Sequence, residues 1–247
     1  MEDVKRGQGS VRENLLEEAG ANTADSSGGE INKVLCVLFE LGAVVELRAF
    51  RGATTESGYF DDWEALELAA SELDRRGYQV YVTLNELDPA LLARAANRTR
   101  RMGKGDHATS DRNIRLRRWL PLDFDPVRPA GVSSTDEEKR AALLRAREVR
   151  DYLSEQAWPV PVVGDSGNGY HLLYRIDLPN DPESLELVKG VLEALAFKFD
   201  DDAVKLDIGV HNAARIWKLY GTTARKGDNV PQRPHRVSRL LEIPEAI

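Results

Sequence analysis

In the run WLPLDFDPVRPAG, residues 119–131, two carboxylates, Asp123 and Asp125, hold alternate positions of an apolar segment that stops at Pro126. Alternate residues of a strand leave the same face, about 6–7 Å apart along the chain. Two like charges so placed repel each other, and charges set among apolar residues need compensation. Mg²⁺ or Mn²⁺ suits such a pair, because these ions take oxygen ligands and keep waters and substrate phosphates as the rest of their shell. Two of them ~3.5–4 Å apart activate an attacking hydroxyl and stabilise a leaving pyrophosphate. The same pair is also what a solvent-facing strand end beside a Pro-rich turn looks like, so further motifs must decide.

A second motif is GDSGNGYHLLY, residues 164–174. Its turn, with Ser166, Gly167, Asn168 and Gly169, lets backbone approach a ligand closely, and exposed amides there can cradle phosphate. His171 follows on the strand, where its ring can donate to a triphosphate. A tight hairpin turn with a satisfied histidine behind it reads equally well. The third motif is KLDIGVHNAARIWKLYGTTARKG, residues 205–227. Asp207 again leaves an apolar strand. Arg215 and Lys218 sit in a second apolar run, where a cation needs an anionic partner such as a triphosphate; a surface cation is the other reading for one of them. Tyr220, Gly221 and Thr222 are placed to meet base or sugar, Arg225 and Lys226 the template backbone.

The elements that must carry these residues follow from periodicity. INKVLCVLFELG reads as a helix closed by Gly42, and AVVELRAF as a strand. FDDWEALELAASELDRRG is an amphipathic helix with Asp61 as N-cap and Gly77 as its stop, followed by the strand QVYVTLN. Asp88–Pro89 opens a short helix, since proline suits the first helical position. RRWLPLDFD is the next strand. Ser134 with Glu137, or Thr135 with Glu138, offers a capping box for the long helix DEEKRAALLRAREVRDYLSEQA. VPVV and GYHLLYRID are strands joined by GDSGNG, Asp181–Pro182 starts another helix, and AVKLDIGV and ARIWKLYG are the last strand-like runs. Hairpins mixed with helices indicate an α+β fold with antiparallel sheets.

The net charge of −7 at first argues against a nucleic-acid protein. Resolved along the chain, it does not. Residues 94–118 hold nine Lys or Arg against two Asp, and residues 214–239 hold seven against one. Together they read as a local positive surface for phosphates on an acidic body, with Arg117 and Arg118 among the expected template contacts. The single cysteine, Cys36, excludes a disulfide framework within the chain and a cysteine zinc site. No apolar run approaches the ~20 residues that span a bilayer. The first 20 residues lack the apolar core of a signal peptide. A cytoplasmic setting without membrane contact is expected.

The order D-F-D, then S-G-N-G-Y-H, then L-D with N-A-A-R-I-W-K-L-Y-G-T behind it, resembles the archaeo-eukaryotic primase (AEP) superfamily. More narrowly it is similar to the primase-polymerase (prim-pol) domains of phage, plasmid and mobile-element replication proteins. The resemblance covers roughly residues 40–245. It implies a two-module catalytic core, an N-terminal α/β module packed on an RRM-like palm with the active site between. Residues 1–29 are then a flexible arm, 30–115 the first module and 116–247 the palm.

It also implies that Asp123, Asp125 and Asp207 bind two divalent ions, that His171 contacts the nucleotide triphosphate, and that Ser166 belongs to the same phosphate-facing turn. Arg215 and Lys218 would hold the nucleotide. The second motif of the superfamily is often S-x-H, whereas Gly169 stands two before His171 here. The implied activity is a template-dependent DNA primase or DNA polymerase, a nucleotidyltransferase making or extending primers from NTP or dNTP on single-stranded DNA. The implied cofactors are magnesium or manganese, with no zinc or iron–sulfur cluster. A helicase or an appended priming module is an expected partner. The alternatives are a non-catalytic single-strand-binding module, a metal-dependent nuclease and a nucleotide cyclase.

Overall fold

The computed structural model describes residues 27–245. Most of the expected arm over 1–29 therefore lies outside the described residues, and its last three begin the first helix. That helix, α1 (Ser27–Leu38), buries Ile31, Val34, Leu35 and Leu38 along one stripe. After it come β1 (Val45–Arg51) and β2 (Thr54–Phe60), paired antiparallel over seven positions. Sequence reasoning missed β2. In TTESGYF the β-branched and aromatic pairs are split by Glu56, Ser57 and Gly58, and β1 supplies the pairing that makes it a strand. Helix α2 (Trp63–Arg75) starts one residue later than expected, because Asp62 accepts from the amides of Glu64 and Ala65 at 3.0 and 3.1 Å. Asp61 instead accepts from the Asn97 side-chain amide at 2.8 Å. Strands β3 (Gln79–Thr83) and the short β4 (Arg100–Arg101) complete the first half.

The second half runs β5 (Leu116–Pro126), α3 (Asp136–Glu155), β6 (Val162–Asp165), β7 (Tyr170–Pro179), α4 (Pro182–Phe199) and β8 (Val204–Leu206). This is a β-α-β-β-α-β sequence. Of the two capping boxes offered for α3, Thr135 with Glu138 forms. The remaining strands are β9 (Ile216–Lys218), β10 (Thr223–Ala224), β11 (Arg236–Val237) and β12 (Arg239–Glu242).

Two five-stranded sheets result, ordered β4-β2-β1-β3-β9 and β12-β6-β7-β5-β8. Every strand pairing within them is antiparallel. The fold is α+β, and the second sheet has the RRM-like arrangement. Strand β9 lies late in the chain yet hydrogen-bonds to β3, so the sheets do not divide the chain at residue 115. One continuous core joins them, with Leu38, Leu47 and Val82 from the first half and Leu122, Leu172 and Trp217 from the second. Along β5, Leu120, Leu122 and Phe124 alternate with the carboxylates, which therefore leave the opposite face. Among the described residues no helix is long and apolar enough to cross a membrane.

Candidate active site

Two of the three sequence-predicted acids, Asp123 and Asp207, share one rung of the second sheet, and the third stands beside them on the same face. Asp123 of β5 pairs with His171 of β7. On its other side β8 pairs Leu206 with Phe124, and one step on, the Asp207 amide donates to the Asp123 carbonyl at 2.9 Å. His171, Asp123 and Asp207 thus lie side by side across three strands, and Asp125 lies two residues along the same face. All four line a cavity of about 400 Å³ between the sheets. Its other walls come from the first sheet and the 215–226 segment, including Phe50, Gln79, Tyr81, Arg215, Trp217 and Lys226.

The electrostatics separate the two strand acids. Burial opposes the charged form of Asp123, but His171, whose Nε2 is 3.4 Å from Oδ1, together with Lys226 and Arg215, lowers its pKa overall. Asp125 goes the other way. Burial first, and then the charge of Asp123, raise its pKa against the pull of Lys226 and Arg128. Lys226 Nζ lies 3.9 Å and Arg128 Nη1 3.3 Å from the Asp125 carboxylate. Sequence reasoning missed Arg128. Its signal was a cation three residues past an acid across a proline turn, and the turn closes when Arg128 donates to the carbonyls of Pro126 and Val132. Phe50, Gln79 and Tyr81 had no signal, because only the packing of the sheets brings them here.

The glycine-rich turn differs from the expected phosphate cradle. The Ser166 hydroxyl accepts from the Gly169 amide at 2.8 Å and from the Asn168 amide at 3.4 Å, and Asp165 accepts from the Gly167 amide at 2.7 Å. Its backbone amides are already engaged within the turn, and Ser166 and Asn168 line the cavity wall. Asn168 Oδ1 also accepts from the Ser134 amide, tying the turn to the start of α3.

Five expected template, base or sugar contacts are placed elsewhere. Arg117 and Arg118 are buried. Arg117 donates to the His211 carbonyl, and Arg118 pairs with Glu40 and Glu86, a seam between the two halves. Tyr220 is fully buried behind His171, and the neighbouring Thr222 is buried too. Arg225 is held by Asp74 and the Tyr78 carbonyl. With Arg233 on Glu138 and Arg236 on Asp136, most of the second basic segment is neutralised internally. Lys226 is the member of that pair of template candidates that reaches the cavity.

Arg215 lines the cavity and donates from Nη2 to the Gly209 carbonyl, while its buried Nε has no partner among the described residues. Lys218 also reaches the cavity wall, but its ammonium donates to the Thr223 carbonyl at 2.9 Å, and burial pushes its pKa down to about 7. The unfolded chain, with a lysine pKa near 10.5, then binds more protons than the folded one between about pH 7 and pH 10. Stability gained from this site is absent below pH 7 and rises with pH across that window. Urea titrations of the wild type and Lys218→Met should differ most at pH 6–7. The gap should close at up to about 1.4 kcal/mol per pH unit as pH rises. A gap independent of pH would show that Lys218 is not held against its charge.

No family model and no curated protein matches the chain. Among solved structures, two matches are described as primase RepB′. The likeness is to a primase. The first structure is 12% identical with a TM-score of 0.47, covering 87% of this chain and 56% of that one. The second, the catalytic domain of primase RepB′ in complex with initiator DNA, is 12% identical with a TM-score of 0.45, covering 86% and 84%. This chain thus spans little more than half the length of the first.

Proposed function

We propose that the chain is a template-dependent nucleotidyltransferase of the primase-polymerase type. The observation that carries this reading is the meeting of Asp123, Asp125 and Asp207 with His171 and the cations Arg215 and Lys226 in one cavity. In the reaction, the oxygen of a primer 3′-hydroxyl bonds to the α-phosphorus of an incoming nucleotide. The α–β phosphoanhydride bond breaks, pyrophosphate leaves and the hydroxyl proton passes to solvent.

The donor set suits magnesium or manganese: three hard oxygen ligands, with two like charges crowded until one carboxyl resists ionising. Among the described residues no three Asp, Glu, His or Cys side chains are yet drawn together tightly enough to hold an ion. Asp207 Oδ1 is turned to the Gly209 amide at 2.8 Å, and Asp125 is shared with Arg128 and Lys226. Binding calls for these side chains to turn inward. When bound, the ions supply charge neutralisation at the α-phosphate and the leaving pyrophosphate. The chain's own part is alignment and charge. His171 donates from Nε2, the unpartnered N–H of Arg215 and the ammonium of Lys226 receive phosphate oxygens, and Phe50, Tyr81 and Trp217 wall off water.

A labelled primer annealed to single-stranded template, incubated with Mn²⁺ and NTP or dNTP, tests the proposal. Extension by template-directed nucleotides is expected. Cleavage of the strand, a cyclic nucleotide product, or binding with no turnover would each replace it with one of the rival activities.

The exposed cations of the first basic segment support a template path along that side of the molecule. Arg98, Arg101 and Lys104 are exposed in and beside β4, at the edge of the sheet whose other strands carry Phe50 and Tyr81 to the cavity, and Arg112 and Arg115 further along the segment are exposed too. Replacing Arg98, Arg101 and Lys104 by alanine should weaken single-strand binding at every sequence tested. It should also flatten the log K against log salt slope by about 2, roughly 0.7 per lost phosphate contact. An unchanged slope would move the template to another face.

A further inference from the structure

Behind the cavity wall three buried side chains form a hydrogen-bonded line. Trp217 Nε1 lies 3.1 Å from the Tyr220 hydroxyl, which lies 2.8 Å from Nδ1 of His171. The Trp217 ring packs on the imidazole with centroids 4.1 Å apart. The other ring nitrogen, Nε2, faces Asp123.

Hydrogen-bond bookkeeping fixes the direction of this line. An indole N–H can only donate, so the Tyr220 oxygen accepts from Trp217. The phenol's own hydrogen then needs an acceptor, because a buried donor left unmade costs about 1–3 kcal/mol. Among the described residues His171 Nδ1 is the acceptor bonded to it. Burial pushes the Tyr220 pKa up, so the phenol keeps that hydrogen. A neutral imidazole that accepts at Nδ1 carries its hydrogen on Nε2.

We propose that Tyr220, whose oxygen accepts from Trp217 and whose hydrogen goes to Nδ1, is a positioning residue that holds His171 in the neutral tautomer with its hydrogen on Nε2. The N–H so fixed points to the Asp123 side of the cavity, where it serves as a donor to the phosphates of the nucleotide. Only this last step rests on the nucleotidyltransferase reading; the tautomer itself does not. His171 is thereby a donor throughout and does not take the proton of the attacking hydroxyl. Glycine at 164 makes the arrangement possible. Gly164 stands opposite His171 in the β6–β7 ladder, and a Cβ there would overlap the Tyr220 ring.

The test is a long-range ¹H–¹⁵N correlation spectrum of protein labelled in histidine, free of metal and nucleotide at neutral pH. The His171 signals are identified by their loss in His171→Gln. The expected wild-type spectrum has an unprotonated Nδ1 and a protonated Nε2, and Tyr220→Phe shifts both towards an average of the two tautomers. In the same variant the nucleotide KM should rise about tenfold while kcat changes less, the effect of one misdirected charge-assisted hydrogen bond. A protonated Nδ1 in the wild type, or an unaltered pattern in Tyr220→Phe, overturns the proposal. If Tyr220→Phe does not fold, the wild-type spectrum alone decides the tautomer. A chain that proved unable to transfer nucleotides would overturn the function and leave the nitrogen spectrum to stand or fall by itself.

Discussion

Asp123→Asn is expected to lower nucleotide incorporation by about 10³-fold while leaving the fold intact and the melting temperature little changed. The loss is large because Asp123 is the centre of the rung: His171 pairs with it on one side and Asp207 on the other. A preorganised charge placed at the reacting phosphate is worth roughly 10²–10³ in rate, and removing a metal-holding oxygen disturbs every phosphate contact at once. On stability two effects oppose each other: the variant loses the attraction of His171, Lys226 and Arg215 for the Asp123 charge, and it relieves Asp125. The charge of Asp123 helps to hold the Asp125 pKa up, so an uncharged isostere lets Asp125 ionise with less opposition. Sites that carry such repulsion are kept for function at a cost in stability. Primer extension and thermal melting on the same preparation check both expectations. Extension with Mn²⁺ within about tenfold of wild type would remove Asp123 from the reaction.

Gly169→Ala should have the second largest effect, on stability and activity together. Gly169 precedes β7, and a Cβ built there would overlap the Phe124 carbonyl and stand 3.2 Å from Asp125 Oδ1. A flexible side chain could yield, but this obstacle is the backbone of β5. The two strands must part at the point where they carry Asp123, Asp125 and His171. Overpacking of this kind costs about 3 kcal/mol, or roughly 6–12 °C in Tm for a domain of this size, and it shifts the acids from His171. Gly190→Ala is the control. Gly190 lies within α4 with nothing within 4 Å of its absent Cβ, so alanine there should add about 0.5–1 kcal/mol. Equal melting temperatures for the two variants would show that the close approach at Gly169 is not a constraint.

These two sites sit at either end of what the sequence discloses. Asp123, Asp125, His171 and Asp207 were legible because strand periodicity is local: a carboxylate interrupting an apolar run declares its face. Helices α2, α3 and α4 were legible for the same reason, through stripes such as Ala142, Ala146 and Val149 and caps such as Thr135 and Asp181. Strand β2 was not, because its strandedness lies in its partner. The cations were the least legible. Arg117, Arg118, Arg225 and Lys226 look alike in sequence, yet the first three are bonded to acids or carbonyls within the protein and only Lys226 turns to the cavity.

By itself the sequence determined the α+β class, most of the elements, and the four residues on the cavity-facing side of the second sheet. Each of these depends on the spacing of neighbours along the chain. Only the tertiary structure decided which cations are free to meet phosphate, that β9 crosses to the first sheet and brings Trp217 and Lys218 with it, and that Tyr220 stands behind His171 instead of before a sugar. Those outcomes depend on which distant group satisfies a buried charge or hydroxyl, and a buried polar group is settled by its partner, which no local pattern names.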